Sequence, residues 1–95
     1  MRLSETDRVI IKEEFAGIFD SAKIYLFGSR TDDNKKGGDI DLLILSDKKY
    51  GFKILDKFNT ALIRKLGDQK IDILSYTLND KSPFLQLVME EAIEL

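Results

Sequence analysis

The sequence predicts a small α/β or α+β domain, in which a mixed β-sheet is flanked by helices. Two observations carry this prediction: the chain has 95 residues, which is the length of one domain, and its elements follow the order helix, strand, loop, strand, helix, strand, helix. Strands that alternate with helices are typical of these two fold classes. Because no repeat, low-complexity tract or linker interrupts the order, we expect one domain over residues 1–95.

The first half of the chain predicts one helix and two strands. Ser4 is expected to cap the helix, and residues 23–27, KIYLF, read as a strand that Gly28 ends. Residues 39–45, DIDLLIL, read as a second strand; it is almost entirely apolar after Asp41, which indicates cover on both faces. The apolar residues at helical spacing in the first helix are Ile11, Phe15, Ile18 and Phe19.

The second half predicts two more helices around a third strand. A helix is expected from Tyr50 to Leu66, with Gly67 as its C-terminal cap, followed by a turn over residues 68–70 and a strand over 71–76, IDILSY. The pair Ser82-Pro83 predicts the start of a last helix. The residues expected on the buried side of that helix are Phe84, Val88, Ala92 and Leu95.

The charge balance argues against a dedicated nucleic-acid surface. The chain has 15 Lys and Arg residues and 17 Asp and Glu residues, for a net charge of −2, and the two signs are interleaved. No apolar run approaches the ~20 residues of a membrane span. The first residues, MRLSETDRVIIKEEF, carry acids where a signal peptide needs an apolar core. We therefore expect a cytoplasmic protein without a membrane segment.

The absence of Cys and His from the sequence excludes several chemistries. Thiolate and imidazole nucleophiles, Ser-His-Asp triads, disulfides and the usual zinc sites all need these residues. Catalysis at neutral pH would therefore depend on carboxylates, Lys, Tyr and a hard metal bound by oxygen. Mg²⁺ fits that ligand set best.

Three acids at strand starts are the candidate metal ligands. Asp39 and Asp41 alternate with Ile40, so both should point to the same face of the second strand. Two neighbouring carboxylates repel each other unless a cation lies between them. Asp72 repeats the pattern in KIDIL, and it would join the pair if the two strands are neighbours in register. Three carboxylates can hold two metals ~3.5–4 Å apart, as in phosphoryl transfer.

The turn after the first strand is the candidate phosphate site. Gly28 allows a sharp turn and a close approach to a ligand, and Ser29 offers a hydroxyl and an amide hydrogen. Arg30 could pair with a phosphate or with a neighbouring acid. Each motif is weak alone: GGD before a strand can be a simple turn, and Asp72 alone would read as a surface acid. Their order, each at a strand end, favours a metal–nucleotide site.

The pattern LFGSR…GGDIDLLIL resembles the signature of the DNA polymerase beta-like nucleotidyltransferase superfamily. The chain length and the later KIDIL are similar to its minimal nucleotidyltransferase (MNT) branch, which implies a palm-like minimal fold. The resemblance implies that Asp39 and Asp41 bind Mg²⁺ with ATP or another NTP, and that Asp72 helps with a second metal and activates the attacking hydroxyl. It also implies that Gly28 and Ser29 bind the β and γ phosphates. Gly38 stands where many relatives have Ser.

The resemblance implies transfer of a nucleoside monophosphate to a hydroxyl with release of pyrophosphate. Many members of this branch are encoded beside a HEPN-type partner, often an RNase toxin, and some adenylylate a tyrosine of it, so the resemblance makes an adenylylating antitoxin the first hypothesis. A non-catalytic antitoxin with a vestigial metal site is the second. Transfer to a small molecule or an RNA end is the third. We expect homo- or hetero-oligomeric association, to which Phe52, Phe58 and Phe84 would contribute if they are not all in the core.

Overall fold

The computed structural model describes residues 1–35, 37–67 and 69–95. In these residues the chain forms helices and strands in the predicted order, followed by one further short strand. The helices are α1 (Glu5–Ile18), α2 (Phe52–Leu66) and α3 (Pro83–Met89), and the strands are β1 (Lys23–Phe27), β2 (Ile40–Ser46), β3 (Ile71–Thr77) and β4 (Ile93–Glu94). Lys36, in the predicted loop before β2, and Asp68, in the predicted turn before β3, lie outside the described residues.

The four strands form one mixed sheet in the order β3-β2-β1-β4. β1 pairs antiparallel with both β2 and β4, whereas β2 and β3 are parallel. A parallel pair needs a crossover connection, and α2 supplies it. The crossover brings the starts of β2 and β3 to the same edge of the sheet. The mixed sheet with its helices confirms the predicted α+β class.

The main core lies between one face of the sheet and the helices α1 and α2. The β2 side chains of Leu42 and Ile44 are fully buried there with Phe58 of α2. Phe58 contacts Phe19 edge to face, with ring centroids 5.3 Å apart, and such aromatic pairs add stability beyond the area they bury. Of the three aromatic residues proposed for core or interface, Phe58 is core, whereas Phe52 and Phe84 are exposed.

A smaller apolar cluster covers the other face of the sheet. Leu85 and Val88 of α3 pack on Leu43 and Leu45 of β2. β2 is therefore covered on both sides, as its apolar run predicts. Asp72 stays exposed on the edge strand, so the start of the parallel pair is open to solvent.

The helix caps follow the sequence, but the last helix is shorter than predicted. The Ser4 hydroxyl accepts a hydrogen bond from the Asp7 amide, and Gly67 ends α2 with a positive φ of 85°. α3 ends at Met89, and the Leu95 amide donates to Ile24 O, so the chain end adds to the sheet instead of continuing the helix. Among the described helices, none combines the length and the apolar character needed to cross a bilayer.

Candidate active site

The candidate site begins with the register of the parallel strands. Asp41 of β2 lies directly opposite Asp72 of β3, and Ile40 lies opposite Ile71. Directly paired residues point to the same face of a sheet, so the two carboxylates are neighbours. Asp39 immediately precedes β2. Asp39, Asp41 and Asp72 are called the acidic edge below, and the predicted alignment of Asp72 with the pair is confirmed.

The Asp41 carboxyl group has a raised pKa. Its partial burial is the largest cause, followed by repulsion from the carboxylates of Asp72 and then Asp39 and by a hydrogen bond with Asp72. Lys70 acts in the opposite direction, because a cation favours the charged form. The acidic edge therefore concentrates negative charge at a partly buried position, which is an arrangement that a bound cation would stabilise.

Asp39 has a cationic partner within the chain. Lys70 Nζ lies 3.5 Å from Asp39 Oδ2; the Lys70 side chain is largely exposed, and the Asp39 side chain is about half exposed. Lys70 comes just before β3, and its carbonyl accepts a hydrogen bond from the Ile40 amide, which extends the β2–β3 pairing to this residue. The ion pair turns Asp39 toward Lys70. Lys70 would thus compete with a metal ion for the Asp39 carboxylate.

The turn after β1 lies against the acidic edge. Residues Gly28–Thr31 form a single 3-10 turn, called the Gly28 turn below. In the β1–β2 register Phe27 lies opposite Asp41, so the next residue, Gly28, comes beside the Asp41 carboxylate. A Cβ atom on Gly28 would overlap with Asp41 Oδ2, and the φ of Gly28 is +77°. Only glycine combines this backbone conformation with this close approach.

Ser29 lies on the other side of the same turn, against Gly38. A Cβ atom on Gly38 would overlap with the Ser29 hydroxyl oxygen, and Gly38 also has a positive φ, +92°. The close approach of the two residues places the Ser29 hydroxyl one residue away from Asp39. The structure therefore places the Gly28 turn and the three acids at the same edge of the sheet, whereas their nucleotide-binding and metal-binding roles stay predictions.

The guanidinium group of Arg30 bonds to the protein itself. Nη1 donates to Arg2 O at 2.9 Å, Nε to Gly38 O at 3.3 Å and Nη2 to Gln69 Oε1 at 3.4 Å. Arg30 thus joins the Gly28 turn to segments around the acidic edge. Its role in nucleotide binding stays a prediction.

The donor chemistry of the acidic edge fits Mg²⁺, although its side chains do not converge. Carboxylate oxygens are the ligands that this cation prefers. Over residues 1–35, 37–67 and 69–95, however, no group of three Asp, Glu, His or Cys side chains is arranged so that it could hold a metal ion. One of the three carboxylates, that of Asp39, is paired with Lys70 instead. Asp41 and Asp72 are adjacent in the β2–β3 register, and their role as metal ligands stays a prediction.

Two surface cavities differ in their relation to this site. The larger, about 380 Å³, lies between α1 and α2, and its one acid, Glu14, is paired with Lys65 at 2.5 Å. The smaller, about 210 Å³, adjoins the acidic edge between β3 and α2. Chemistry favours the smaller one as a place for an acceptor molecule, because Asp72 is part of its lining. Its other lining residues are Phe52, Leu55, Asp56, Asn59, Ile71 and Ile73.

A match to a protein-family model shows the family of this chain. The family model described as polymerase beta nucleotidyltransferase matches residues 10–95. This chain belongs to the polymerase beta nucleotidyltransferase family. The nucleotidyltransferase resemblance inferred from LFGSR and GGDIDLLIL is therefore confirmed. No curated protein matches the sequence.

Solved structures share this nucleotidyltransferase fold at low identity. A tri-AMPylated HEPN toxin in complex with an MNT antitoxin from Shewanella oneidensis matches with a TM-score of 0.72 and 21% identity, over 97% of this chain and 71% of that chain. A toxin-antitoxin with AMP-PNP matches with a TM-score of 0.73 and 22% identity, over 97% and 72%. Terminal uridylyl transferase 4 from Trypanosoma brucei, with bound UTP and UpU, gives 0.52 and 20%, over 90% and 38%.

Sequence reasoning about the nucleotidyltransferase site missed two cations. Lys70 could have been found, since it directly precedes the IDIL of β3 and a residue at a strand start lies at the same edge as Asp72. Arg2 carries no local signal. Its contacts with the Gly28 turn join residues about 30 positions apart, and only the folded chain shows them.

Proposed function

We propose that this chain is a Mg²⁺-dependent nucleotidyltransferase that moves AMP from ATP onto a hydroxyl group of a partner protein. The partner we propose is a HEPN-type toxin, for which the chain acts as antitoxin. Membership of the polymerase beta nucleotidyltransferase family supports the reaction class. The neighbours with AMP-PNP and with a tri-AMPylated HEPN toxin support the choice of nucleotide and partner.

The observation that carries the proposal is the pairing of Asp41 with Asp72 beside the Gly28 turn. A structural role explains it poorly, because two adjacent carboxylates destabilise the sheet unless a cation offsets their repulsion. A phosphate-binding turn without acids, or acids without the turn, would not favour a nucleotide. The two together suit a triphosphate that reaches the acidic edge with its cation.

In the proposed reaction, each residue of the site has a separate role. Gly28 and Ser29 would bind the β and γ phosphates, and Asp39, Asp41 and Asp72 would hold Mg²⁺. When bound, Mg²⁺ supplies charge that stabilises the transferred phosphoryl group and the pyrophosphate. The acceptor oxygen attacks the α phosphorus, the bond from that phosphorus to the bridging oxygen breaks, and pyrophosphate leaves. A carboxylate oxygen of Asp72 would take the hydroxyl proton.

Acceptor entry is proposed at the cavity beside Asp72. The exposed ring of Phe52 lies on its rim and offers an apolar surface next to the acidic edge. A tyrosine side chain has a suitable shape for such a place, because its ring is apolar and its hydroxyl is the reacting group. This arrangement would direct the hydroxyl of a partner protein toward the α phosphate.

The first test is thermal unfolding with Mg²⁺, ATP or both. The proteins are the wild type, the Asp39→Asn/Asp41→Asn variant, and an Asp20→Asn/Asp47→Asn control with the same change in net charge. Binding to the native state stabilises it by about 2.7 kcal/mol at a hundredfold excess of ligand over Kd. We expect Mg²⁺ and ATP together to raise the melting temperature of the wild type and the control, but not that of the site variant.

The second test is transfer of labelled AMP to a purified HEPN-type partner. We expect a Mg²⁺-dependent label on a tyrosine hydroxyl, lost in Asp41→Asn. The alternative of a non-catalytic antitoxin is favoured by the pairing of Asp39 with Lys70, which draws one ligand away. If Asp39→Asn/Asp41→Asn still neutralises the partner at equal concentration and no label is transferred, that alternative replaces the enzymatic one. Label on tRNA or on small alcohols without the partner would favour the third hypothesis.

A further inference from the structure

The segment before α1 is fixed to the Gly28 turn by Arg2. Its guanidinium donates from Nη2 to Ser29 O and from Nε to Asp32 O, each at 3.0 Å. Its backbone amide donates to Arg30 O at 2.8 Å. One residue therefore holds three carbonyl groups within four consecutive positions. The two hydrogen bonds from the Arg2 guanidinium are partly buried, so water competes less for their donors and acceptors.

Arg30 returns the interaction and extends it. It donates from Nη1 to Arg2 O at 2.9 Å and from Nε to Gly38 O at 3.3 Å. Arg2 and Arg30, called the arginine clamp below, therefore join the segment before α1, the Gly28 turn and the residue before Asp39. The clamp fixes the separation between the proposed phosphate-binding and metal-binding parts of the site.

The geometry of the peptide group gives the clamp a consequence for Ser29. In a trans peptide the C=O and the next N–H point in opposite directions. The bonds from Arg2 to Ser29 O, Arg30 O and Asp32 O therefore fix the direction of these carbonyl groups. They also fix the direction of the N–H group that follows each carbonyl, which points to the opposite side of the turn. A planar guanidinium suits this task, because its forked donors reach two acceptors at once and its charge strengthens both hydrogen bonds.

We propose that Arg2 is a positioning residue for the nucleotide: it holds the Gly28 turn so that Ser29 stays opposite the acidic edge. This inference rests on the proposed function, because it assigns the nucleotide to that turn. Among the described residues, Arg2 forms no hydrogen bond or ion pair with Asp39, Asp41 or Asp72, so its removal should leave binding of the divalent cation alone nearly unchanged. It should weaken binding of the phosphates that the turn is proposed to hold.

The test compares wild type with Arg2→Ala, Arg2→Lys and Arg8→Ala. Arg8 is a matched control, since it is an arginine of the same terminal region that bonds to Glu5 and to Leu95 O, away from the Gly28 turn. The affinity for Mg²⁺–ATP and for Mn²⁺ alone is measured by calorimetry at a temperature where all four proteins are folded. We expect Arg2→Ala to weaken Mg²⁺–ATP binding about tenfold, equivalent to ~1.4 kcal/mol, with Mn²⁺ affinity unchanged.

Arg2→Lys separates geometry from charge. A lysine keeps the charge but lacks the planar fork whose Nε and Nη2 each reach one carbonyl, so we expect an affinity much closer to that of Arg2→Ala than to that of the wild type. Full wild-type affinity in Arg2→Lys would overturn the positioning role and leave only a charge effect. Equal Mg²⁺–ATP affinity in the wild type and Arg2→Ala would overturn it as well.

Hydrogen exchange distinguishes failure of this inference from failure of the proposed function. We expect amides of residues 29–33 to exchange faster in Arg2→Ala, whereas Arg8→Ala leaves them unchanged. If the wild type binds no Mg²⁺–ATP, the proposed function falls, and the nucleotide role of Arg2 falls with it. If the wild type binds and exchange in residues 29–33 is the same in Arg2→Ala, only the inference about Arg2 is overturned.

Discussion

Gly28 and Asp41 are packed so closely that a Cβ atom on residue 28 would overlap with Asp41 Oδ2. The contact follows from the β1–β2 pairing, in which Phe27 lies opposite Asp41 and the chain turns immediately afterwards. It links the turn that is proposed to bind phosphate directly to a proposed metal ligand. A change in either residue therefore acts on both parts of the site.

Gly28→Ala should displace the Asp41 carboxylate and abolish Mg²⁺–ATP binding. A positive φ alone costs a residue with a Cβ roughly 1–2 kcal/mol, and the overlap with Asp41 adds to that penalty. Gly37→Ala is the matched control, because Gly37 also has a positive φ, +66°, but nothing lies within 4 Å of its added Cβ. Calorimetry and chemical denaturation of both variants measure the difference. Equal behaviour of the two would show that the contact with Asp41 is unimportant.

Gly38→Ala should be coupled energetically to Ser29. The added Cβ meets the Ser29 hydroxyl, and removal of that hydroxyl leaves the Ser29 Cβ at 3.4 Å and Arg2 Nη2 at 3.8 Å as its near neighbours. We expect the Ser29→Ala/Gly38→Ala double variant to be less destabilised than the sum of the single variants by ~0.5–3 kcal/mol. Urea denaturation of the four proteins gives this coupling energy. Simple additivity would mean that the two residues are not in contact in solution.

Asp41→Asn should stabilise the protein at neutral pH. The pKa of the Asp41 carboxyl is raised by burial and by Asp72 and Asp39, so the folded state holds this proton more tightly than the unfolded state. The contribution of this group to the free energy of unfolding is therefore fully present below its unfolded pKa, near 3.8. That contribution is lost as pH rises through the folded pKa. With solvent screening, we expect a gain of about 0.5 kcal/mol at pH 7 that disappears near pH 3.

The control for this effect is Asp20→Asn, which removes the same charge from an exposed position just after α1. Urea denaturation at pH 3, 5 and 7 follows both variants and the wild type. A loss of stability in Asp41→Asn at pH 7, or an equal gain in Asp20→Asn, would contradict the proposed repulsion at the acidic edge.

Lys70→Gln should increase the affinity for a divalent cation. Lys70 pairs with Asp39 and favours the charged form of Asp41, so its charge competes with a metal ion at this edge. Exposed ion pairs contribute ~0.2–1 kcal/mol, which corresponds to about 1.5- to 5-fold in affinity. Titration with Mn²⁺ alone measures the effect at low salt, and Lys12→Gln on the exposed side of α1 is the control. Weaker Mn²⁺ binding in Lys70→Gln would mean that Lys70 supports the site instead.

Phe58→Ala should be far more destabilising than Phe52→Ala, although both residues belong to α2. The Phe58 side chain is fully buried among the aromatic rings of the main core, whereas Phe52 is 81% exposed. Loss of a buried Phe costs about 3–5 kcal/mol, and loss of an exposed one about 0.5 kcal/mol or less. Denaturation measures both values.

Loss of AMP transfer to the partner in Phe52→Ala, with normal Mg²⁺–ATP binding, would support the proposed acceptor entry.

The sequence predicted the elements and the acids of the site because both depend on local patterns. The alternation around Asp41 and Asp72 fixes the face of each side chain, and glycine at position 28 marks the turn. The short strand β4 was missed because two residues carry no periodic signal, and the helical spacing of Ala92 and Leu95 favoured a longer α3. The contacts of Arg2 and the orientation of Asp39 toward Lys70 depend on tertiary proximity, which periodicity does not report.

The crossover through α2 also makes the site a late product of folding. Asp41 and Asp72 are 31 positions apart in the sequence, and they become neighbours only when β3 has paired with β2. Such non-local pairing requires loop closure before its contacts stabilise the chain. A chain that is still emerging during synthesis, or one that has opened at β3, would have separate carboxylates and could not hold the cation. The proposed neutralisation of a toxin, which depends on this site, would therefore begin only after β2 and β3 have paired.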